Sequence, residues 1–277
     1  MNAPCAARLL AQPGSAGTAA AADACSMCFH RRNCLPGVLG EQAPAALQEV
    51  LGSPQRVAKG ARLVRAGQPA SRVFIVHHGA FKALVGLADG RQRIVGFHEA
   101  GDWLGLEGLG GVYGADVVAL EASQVCEVDL ARLEVLAGRF PAVQRHLFRA
   151  MAQAQGQQFA LGSMHVRERL VRFLLELSQR YARRGLAGDE FTLRMSREDI
   201  GEYLGFRLET VSRVFTELHR AGLLALARRR VRIVDRAALL ALLDTSEPRV
   251  GVRAAAARVA MPQRMPAPAG LAPALAA

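Results

Sequence analysis

The residue pattern predicts an α+β chain: an antiparallel β domain, then long amphipathic helices, then a C-terminal winged helix-turn-helix. Three observations predict it. Short β-type runs punctuated by glycine fill residues 53–130. The apolar period switches to a helical one at Phe140. Two short helical segments meet at Gly205 and are followed by a basic hairpin, Arg228 to Arg230.

The β-type runs are Val73–Val76, Phe81–Val85, Arg93–Phe97 and Val125–Val128. Asp89-Gly90 between two of them is a strong hairpin signal, because both residues accept positive φ. Repeated short strands with turns predict a barrel or sandwich. Pro141 fits a helix start, and Leu147, Met151, Ala154, Gln158 and Leu161 then share one helical stripe. A second amphipathic helix runs from His165 to Arg184 with Leu170, Phe173, Leu174 and Leu177 inward, and Gly185 and Gly188 stop it. The chain therefore divides into a disordered leader (1–24), a cysteine loop (25–37), a β domain (38–139), a long helix (140–164), a winged helix-turn-helix (165–245) and a disordered tail (246–277).

A chain of 277 residues that is 51% apolar can bury one large core or two smaller ones. It has no uninterrupted apolar run of about eighteen residues, so no membrane span is expected. The Ala-rich leader has a single basic residue, Arg8, and is broken by Gln12, Pro13, Gly14 and Gly17, unlike a signal peptide; a cytoplasmic protein is expected. The net charge of +11 favours a polyanionic partner. Lys59 and Lys82 are the only lysines, so part of that charge reflects a general arginine bias. No nucleophile–base–orienter set and no phosphate-cradling loop appears, so an enzyme is not expected.

Three of the five cysteines, Cys25, Cys28 and Cys34, fall within ten residues; the others are Cys5 and Cys126. A C-x2-C pair places two thiolates on one turn, and a third cysteine, with five residues between, can close over the same point. One more thiolate completes a four-sulfur site, which selects zinc or an iron–sulfur cluster over hard cations. Structural zinc more often uses two C-x2-C pairs. Spacing alone leaves zinc, a cluster and free thiols open.

Ser196 is a good N-cap with Asp199 three residues on, ahead of apolar Ile200 and Leu204. Gly205 ends that helix. The next one turns Val211, Val214, Phe215 and Leu218 inward and Glu209, Ser212 and Arg213 outward. Two short helices joined at a glycine make a helix-turn-helix. Arg213 can donate to guanine O6 and N7, Glu209 can accept from cytosine N4, and Ser212 can reach a base or phosphate. The basic hairpin, with Arg229 at its centre, can grip the phosphate backbone.

Over residues 25–243 the chain resembles the CRP/FNR superfamily of bacterial transcription regulators, and within it the FNR branch of oxygen sensors. The resemblance rests on the three leading cysteines with Cys126, on Ile94 to Asp102 in the β domain, and on Asp199–Gly205 with Glu209–Arg213. It implies a cyclic-nucleotide-binding-like β-roll, a dimerisation helix and a winged helix-turn-helix. It implies that Cys25, Cys28, Cys34 and Cys126 ligate a 4Fe-4S cluster, with Cys5 a bystander. It implies a homodimer seamed by Leu147, Met151, Ala154 and Leu161. The DNA target is then an inverted repeat with TTGAT-like half-sites, read by Glu209, Ser212 and Arg213, with Arg197 and Arg229 as further contacts. The Phe81–Phe97 hairpin resembles the family surface that touches RNA polymerase. The cyclic-nucleotide branch needs a cation for the phosphate. Gly101–Val125 contains no Arg or Lys and offers Asp102, Glu107, Asp116 and Glu121 instead, so no cyclic nucleotide is expected. Leu208, where that branch has Arg, points the same way. The same fold with zinc-binding or oxidant-sensing cysteines is the alternative.

Overall fold

The computed structural model describes residues 54–159 and 165–244, together with residues 25, 28, 34–40, 46, 47 and 50–52. The leader, the tail and Phe29 lie outside the described residues. The elements in order are helix α1 (Leu35–Leu39), strands β1 (Gln55–Val57), β2 (Arg62–Val64), β3 (Arg72–His78), β4 (Ala80–Gly86), β5 (Gln92–Glu99), β6 (Trp103–Leu104), β7 (Asp116–Ala119) and β8 (Ser123–Asp129), and helices α2 (Leu130–Arg139), α3 (Pro141–Phe159) and α4 (Val166–Arg183). Strand β9 (Glu190–Thr192), helices α5 (Arg197–Leu204) and α6 (Leu208–Arg220), hairpin β10 (Leu224–Ala227) and β11 (Arg230–Ile233), and helix α7 (Arg236–Asp244) complete it. This is the α+β architecture the sequence predicts.

Two antiparallel four-stranded sheets, ordered β1-β8-β3-β6 and β2-β7-β4-β5, face each other. Phe74, Val76, Phe81, Leu104, Val117 and Val125 fill the space between them. Because successive strand residues point to opposite faces, Val73 and Ile75 of β3 point outward, where Leu35, Val128, Leu133, Leu136 and Val143 cover them. Val73 to Val76 are consequently all buried, and a strand buried on both faces reads as a continuous apolar run. The other sheet is covered too. Leu84, Ile94 and Phe97 share one core with α4, α5 and α6.

The hairpin forms around Asp89-Gly90, but of the two only Gly90 takes positive φ, +82°: Gly90 N–H donates to Leu87 O at 3.0 Å, which centres the turn on Ala88-Asp89. Leu87 N–H donates to Arg91 O at 2.7 Å. Helix α2 was not legible in the sequence, which shows this stretch only as the end of the β domain. Its cap is plain in the structure: Asp129 Oδ1 accepts from Arg132 N–H at 2.9 Å, and Leu133 and Leu136 drop onto the sheet. The wing gains a third strand, β9, paired with β11. Among the described residues no helix is long and apolar enough to cross a membrane.

Half-buried His98 lies against Asp102 and Arg180, and desolvation pushes its pKa down to about 4. Asp102 also loses solvation, but Arg180 and Arg184 hold its carboxyl down at about 2. Both groups therefore bind protons less readily folded than unfolded, so stability is lost as pH falls. The His98 contribution disappears between an ordinary histidine pKa of about 6.5 and about 4. Thermal unfolding followed from pH 7 to pH 4 should show a falling Tm, and His98→Gln should flatten that fall. A variant with the same slope as the parent would remove His98 as a cause.

Candidate metal centre and nucleic-acid interface

Cys126 sits in β8 opposite Ile75 of β3. Its side chain lies on the helix-covered face of the sheet, where Cys25, Cys34 and Cys126 pack against one apolar cluster that includes Trp103 and Leu133. Cys34 is the N-cap of α1, and its carbonyl accepts from Gly37 N–H at 2.9 Å and Val38 N–H at 3.2 Å. Leu35 beside it is fully buried, which pins Cys34 to the patch. Cys28 N–H donates to Cys25 O at 3.3 Å, the tight turn that a C-x2-C pair makes.

Cys25, Cys28, Cys34 and Cys126 are all half-buried. Burial, then the neighbouring Cys126, pushes the Cys34 thiol far up; burial, then Cys25 and Cys28, pushes Cys126 up to about 12. Cys34 and Cys126 thus feel the neighbouring sulfurs, and a cation among them would act the other way by stabilising thiolates. The donor chemistry fits a thiolate-bound metal group. The side chains are not drawn to ligand spacing: among the described residues no group of three or more Cys, His, Asp or Glu is arranged to hold an ion. Cys5 lies outside the described residues.

The same patch touches α3. Leu35 and Leu39 share a core with Val143 and Leu147, and Trp103 Nε1–H donates to His146 Nε2 at 3.3 Å. Leu147, expected on a dimer seam, is therefore taken up by its own protomer's core, and Met151 is half-buried. The side chain of Ala154, and Leu161 altogether, lie outside the described residues. Among the described side chains of this helix, Phe148, 61% exposed, is the large apolar one it presents; the stripe drawn through Leu147 passes beside it.

The reading head is built from local signals. Ser196 Oγ accepts from Asp199 N–H at 3.0 Å, while Asp199 Oδ2 accepts from Ser196 N–H at 2.9 Å. Gly205 closes α5 with φ +80°. A Cβ on Gly201 would lie 2.6 Å from Phe206 O, so α5 and the turn approach more closely than any side chain allows. Arg169 of α4 clamps that turn, with its guanidinium 5.2 Å from the Phe206 ring centroid and Nη1 donating to Leu204 O at 3.1 Å. The sequence offered no signal for this clamp, since the partners lie far apart along the chain.

Val211, Val214, Phe215 and Leu218 are buried, Glu209 and Arg213 exposed and Ser212 half-buried, so α6 presents the face the spacing predicts. Arg207, exposed at the N-cap of α6, adds to this face. Arg197 is half-buried with its guanidinium 4.9 Å from the Phe215 ring centroid. In the wing Arg228 and Arg229 are exposed, and Arg230 pairs with Glu190 at 3.1 Å.

The four acids of Gly101–Val125 do not form one lining. Asp102 faces Arg180 and Arg184, Glu121 pairs with Arg194 at 3.2 Å, and Asp116 with Arg62 at 3.4 Å. Only Glu107 stays over the 3-10 turn Leu106–Gly110. The unfavourable setting for a phosphate then rests on the missing cation in this stretch, since three of the four acids are neutralised elsewhere.

Residues 54–139 match the family model of a cyclic nucleotide-binding domain, and residues 168–242 that of a Crp-like helix-turn-helix domain. The chain is 37% identical over 216 residues to the transcriptional regulatory protein btr of Bordetella pertussis, covering 76% of this chain and 89% of that protein. It is 33% identical over 223 residues to the fumarate and nitrate reduction regulatory protein of Escherichia coli K12, covering 79% and 89%. Among solved structures, FixK2 from Bradyrhizobium japonicum superposes with a TM-score of 0.61 at 32% identity, covering 69% of this chain and 96% of that one.

Gly201→Ala should destabilise the protein by about 1–3 kcal/mol, the usual cost of forcing a methyl into a closed contact. Denaturant unfolding reads this directly. Unchanged stability would show that the Phe206 carbonyl yields without cost.

Proposed function

Because the chain belongs to the CRP/FNR family of transcription regulators, and so is a DNA-binding regulator and no enzyme, we propose that it is an oxygen- or redox-responsive member controlled by a 4Fe-4S cluster on Cys25, Cys28, Cys34 and Cys126. The observation that carries this reading is the convergence of thiols from the cysteine loop and from β8 on one apolar patch that also touches α3. A bound cluster supplies oxygen-labile iron–thiolate bonds between the cysteine loop and the β domain. The protein's part is then mechanical. Leu35 and Leu39 seat α1 against Val143 and Leu147, so the order of the cysteine loop biases the helix through which the two subunits pair. The fumarate and nitrate reduction relative supports genes of anaerobic or low-oxygen metabolism as the targets.

In the dimer, each α6 reads one half of an inverted repeat with TTGAT-like half-sites, through Glu209, Ser212 and Arg213. Arg197 and Arg229 hold the flanking backbone. The hairpin tip at Gly86, Asp89 and Gly90 contacts RNA polymerase. No cyclic nucleotide is bound, since Gly101–Val125 supplies no cation for its phosphate.

Two experiments test this. Protein purified without oxygen should carry iron and a broad visible absorption band. Replacing any of the four proposed ligands by Ser should abolish both, and Cys5→Ala should leave them. A colourless protein containing zinc would establish the alternative metal. Separately, Arg213→Ala should cost about 1–3 kcal/mol of binding to the intact repeat and much less to a site lacking the contacted guanine. Arg229→Ala should weaken both sites equally and lower the salt slope by about one unit. Equal loss on both sites for Arg213→Ala would make it a positioning contact.

A further inference from the structure

The DNA-binding unit is held to the β domain by a set of charges that the reading head itself does not use. Lys82 Nζ of β4 lies 2.8 Å from Asp199 Oδ1. The other oxygen of that carboxylate caps α5 through Ser196 N–H at 2.9 Å and Ser196 Oγ at 2.7 Å. One carboxylate therefore joins the first helix of the reading head to a sensor strand. Beside it, Arg180 and Arg184 of α4 are almost wholly buried, their side chains 11% and 9% exposed. Arg180 meets Asp102 and donates twice to Phe97 O at 3.2 Å. Arg184 reaches Asp102 at 2.7 Å and Glu99 at 3.3 Å. Tyr181 OH donates to Glu99 Oε1 at 3.1 Å. An aromatic triangle of Phe97, Phe173 and Tyr203 fills the gap between, with centroids 5.3 to 6.0 Å apart.

This interface and the reading face point in different directions. Lys82 and Asp199 are mostly covered, whereas Glu209 and Arg213 are exposed. Docking thus leaves α6 accessible. A two-fold regulator must also hold its two recognition helices about 34 Å apart, one helical turn of DNA. With the two subunits paired through α3 as proposed above, each reading head keeps its place only as far as it is fixed to the β domain that α3 packs against. An apolar contact alone permits sliding; charges paired at single positions specify one orientation, at little gain in stability.

Resting on the DNA-reading function proposed above, we propose that Lys82, with Glu99 and Asp102, is a positioning residue for DNA recognition, setting the distance between the two recognition helices from the sensor sheet. Lys82 touches no DNA in this arrangement; it acts through Asp199.

The test uses the full-length protein, prepared without oxygen, and three DNAs: an inverted repeat, the same repeat with one base pair added between half-sites, and an isolated half-site. Lys82→Met should bind the half-site within twofold of the parent. It should lose about tenfold or more on the repeat, since the second contact no longer benefits from a fixed geometry. Its preference for the original spacing should flatten, and Lys82→Arg should restore it. Glu121→Gln, which removes the partner of Arg194 in the same interface, gives a second reading in the same direction. Equal loss on half-site and repeat would mean that α5 itself is damaged, and an unchanged spacing preference in both variants would mean that the charges do not position the head; either overturns the inference. A parent protein that does not bind the repeat at all refutes the proposed function instead.

Discussion

Both sheets of the β domain are buried on both faces, and the rest of the molecule is arranged by that constraint. A sandwich in water can leave its outer faces polar. Here Val73 and Ile75 on one outer face, and Leu84, Ile94 and Phe97 on the other, are apolar and must be covered. Each such side chain contributes about 1.5–3 kcal/mol when removed from water. One face is covered by α1, α2 and α3, the other by the DNA-binding unit. The sandwich core of Phe74, Val76, Phe81, Val117 and Val125 joins the two.

The two coverings differ in chemistry. On the cysteine side the contact is apolar, with thiols set into it and little charge. The cluster proposed on those thiols would add bonds where packing alone is short: α1 is five residues long and offers mainly Leu35 and Leu39 to the patch. On the DNA-binding side the contact is apolar with buried charge pairs set into it. Arg180 and Arg184 are desolvated and held by Asp102 and Glu99, so removing one carboxylate would strand a buried cation, a far greater loss than breaking an exposed pair such as Asp89–Arg91. The first covering is suited to change with occupancy, the second to holding one orientation.

Several residues serve both the fold and the proposed reading of DNA. Asp199 caps α5 and receives Lys82. Phe215 fills the core beneath α6 and carries Arg197 on its ring. Arg169 ties α4 to the turn between the two helices through Leu204 O and Phe206. The angle between α5 and α6 is therefore set by short-range packing around Gly201 and Gly205, while the placement of the pair is set by long-range charge.

The sequence by itself determined what depends on neighbours along the chain. The Ser196–Asp199 box, the left-handed Gly205, the inward Val211, Val214, Phe215 and Leu218, and the Asp89-Gly90 hairpin were all legible, because caps, turns and helical periods are local. It also carried the cysteine set and the charge balance. Tertiary structure alone decided which of two apolar faces meets which partner, since period and propensity do not name the opposing surface. That is why Cys126 comes to lie on the patch that Cys34 shares, and why Leu147 belongs to its own protomer's core. It is also why Asp102 and Glu121, read as part of a lining hostile to phosphate, instead face Arg180, Arg184 and Arg194. Strand register and domain docking bring together groups 73 to 82 residues apart, and no local signal in the chain encodes such a meeting.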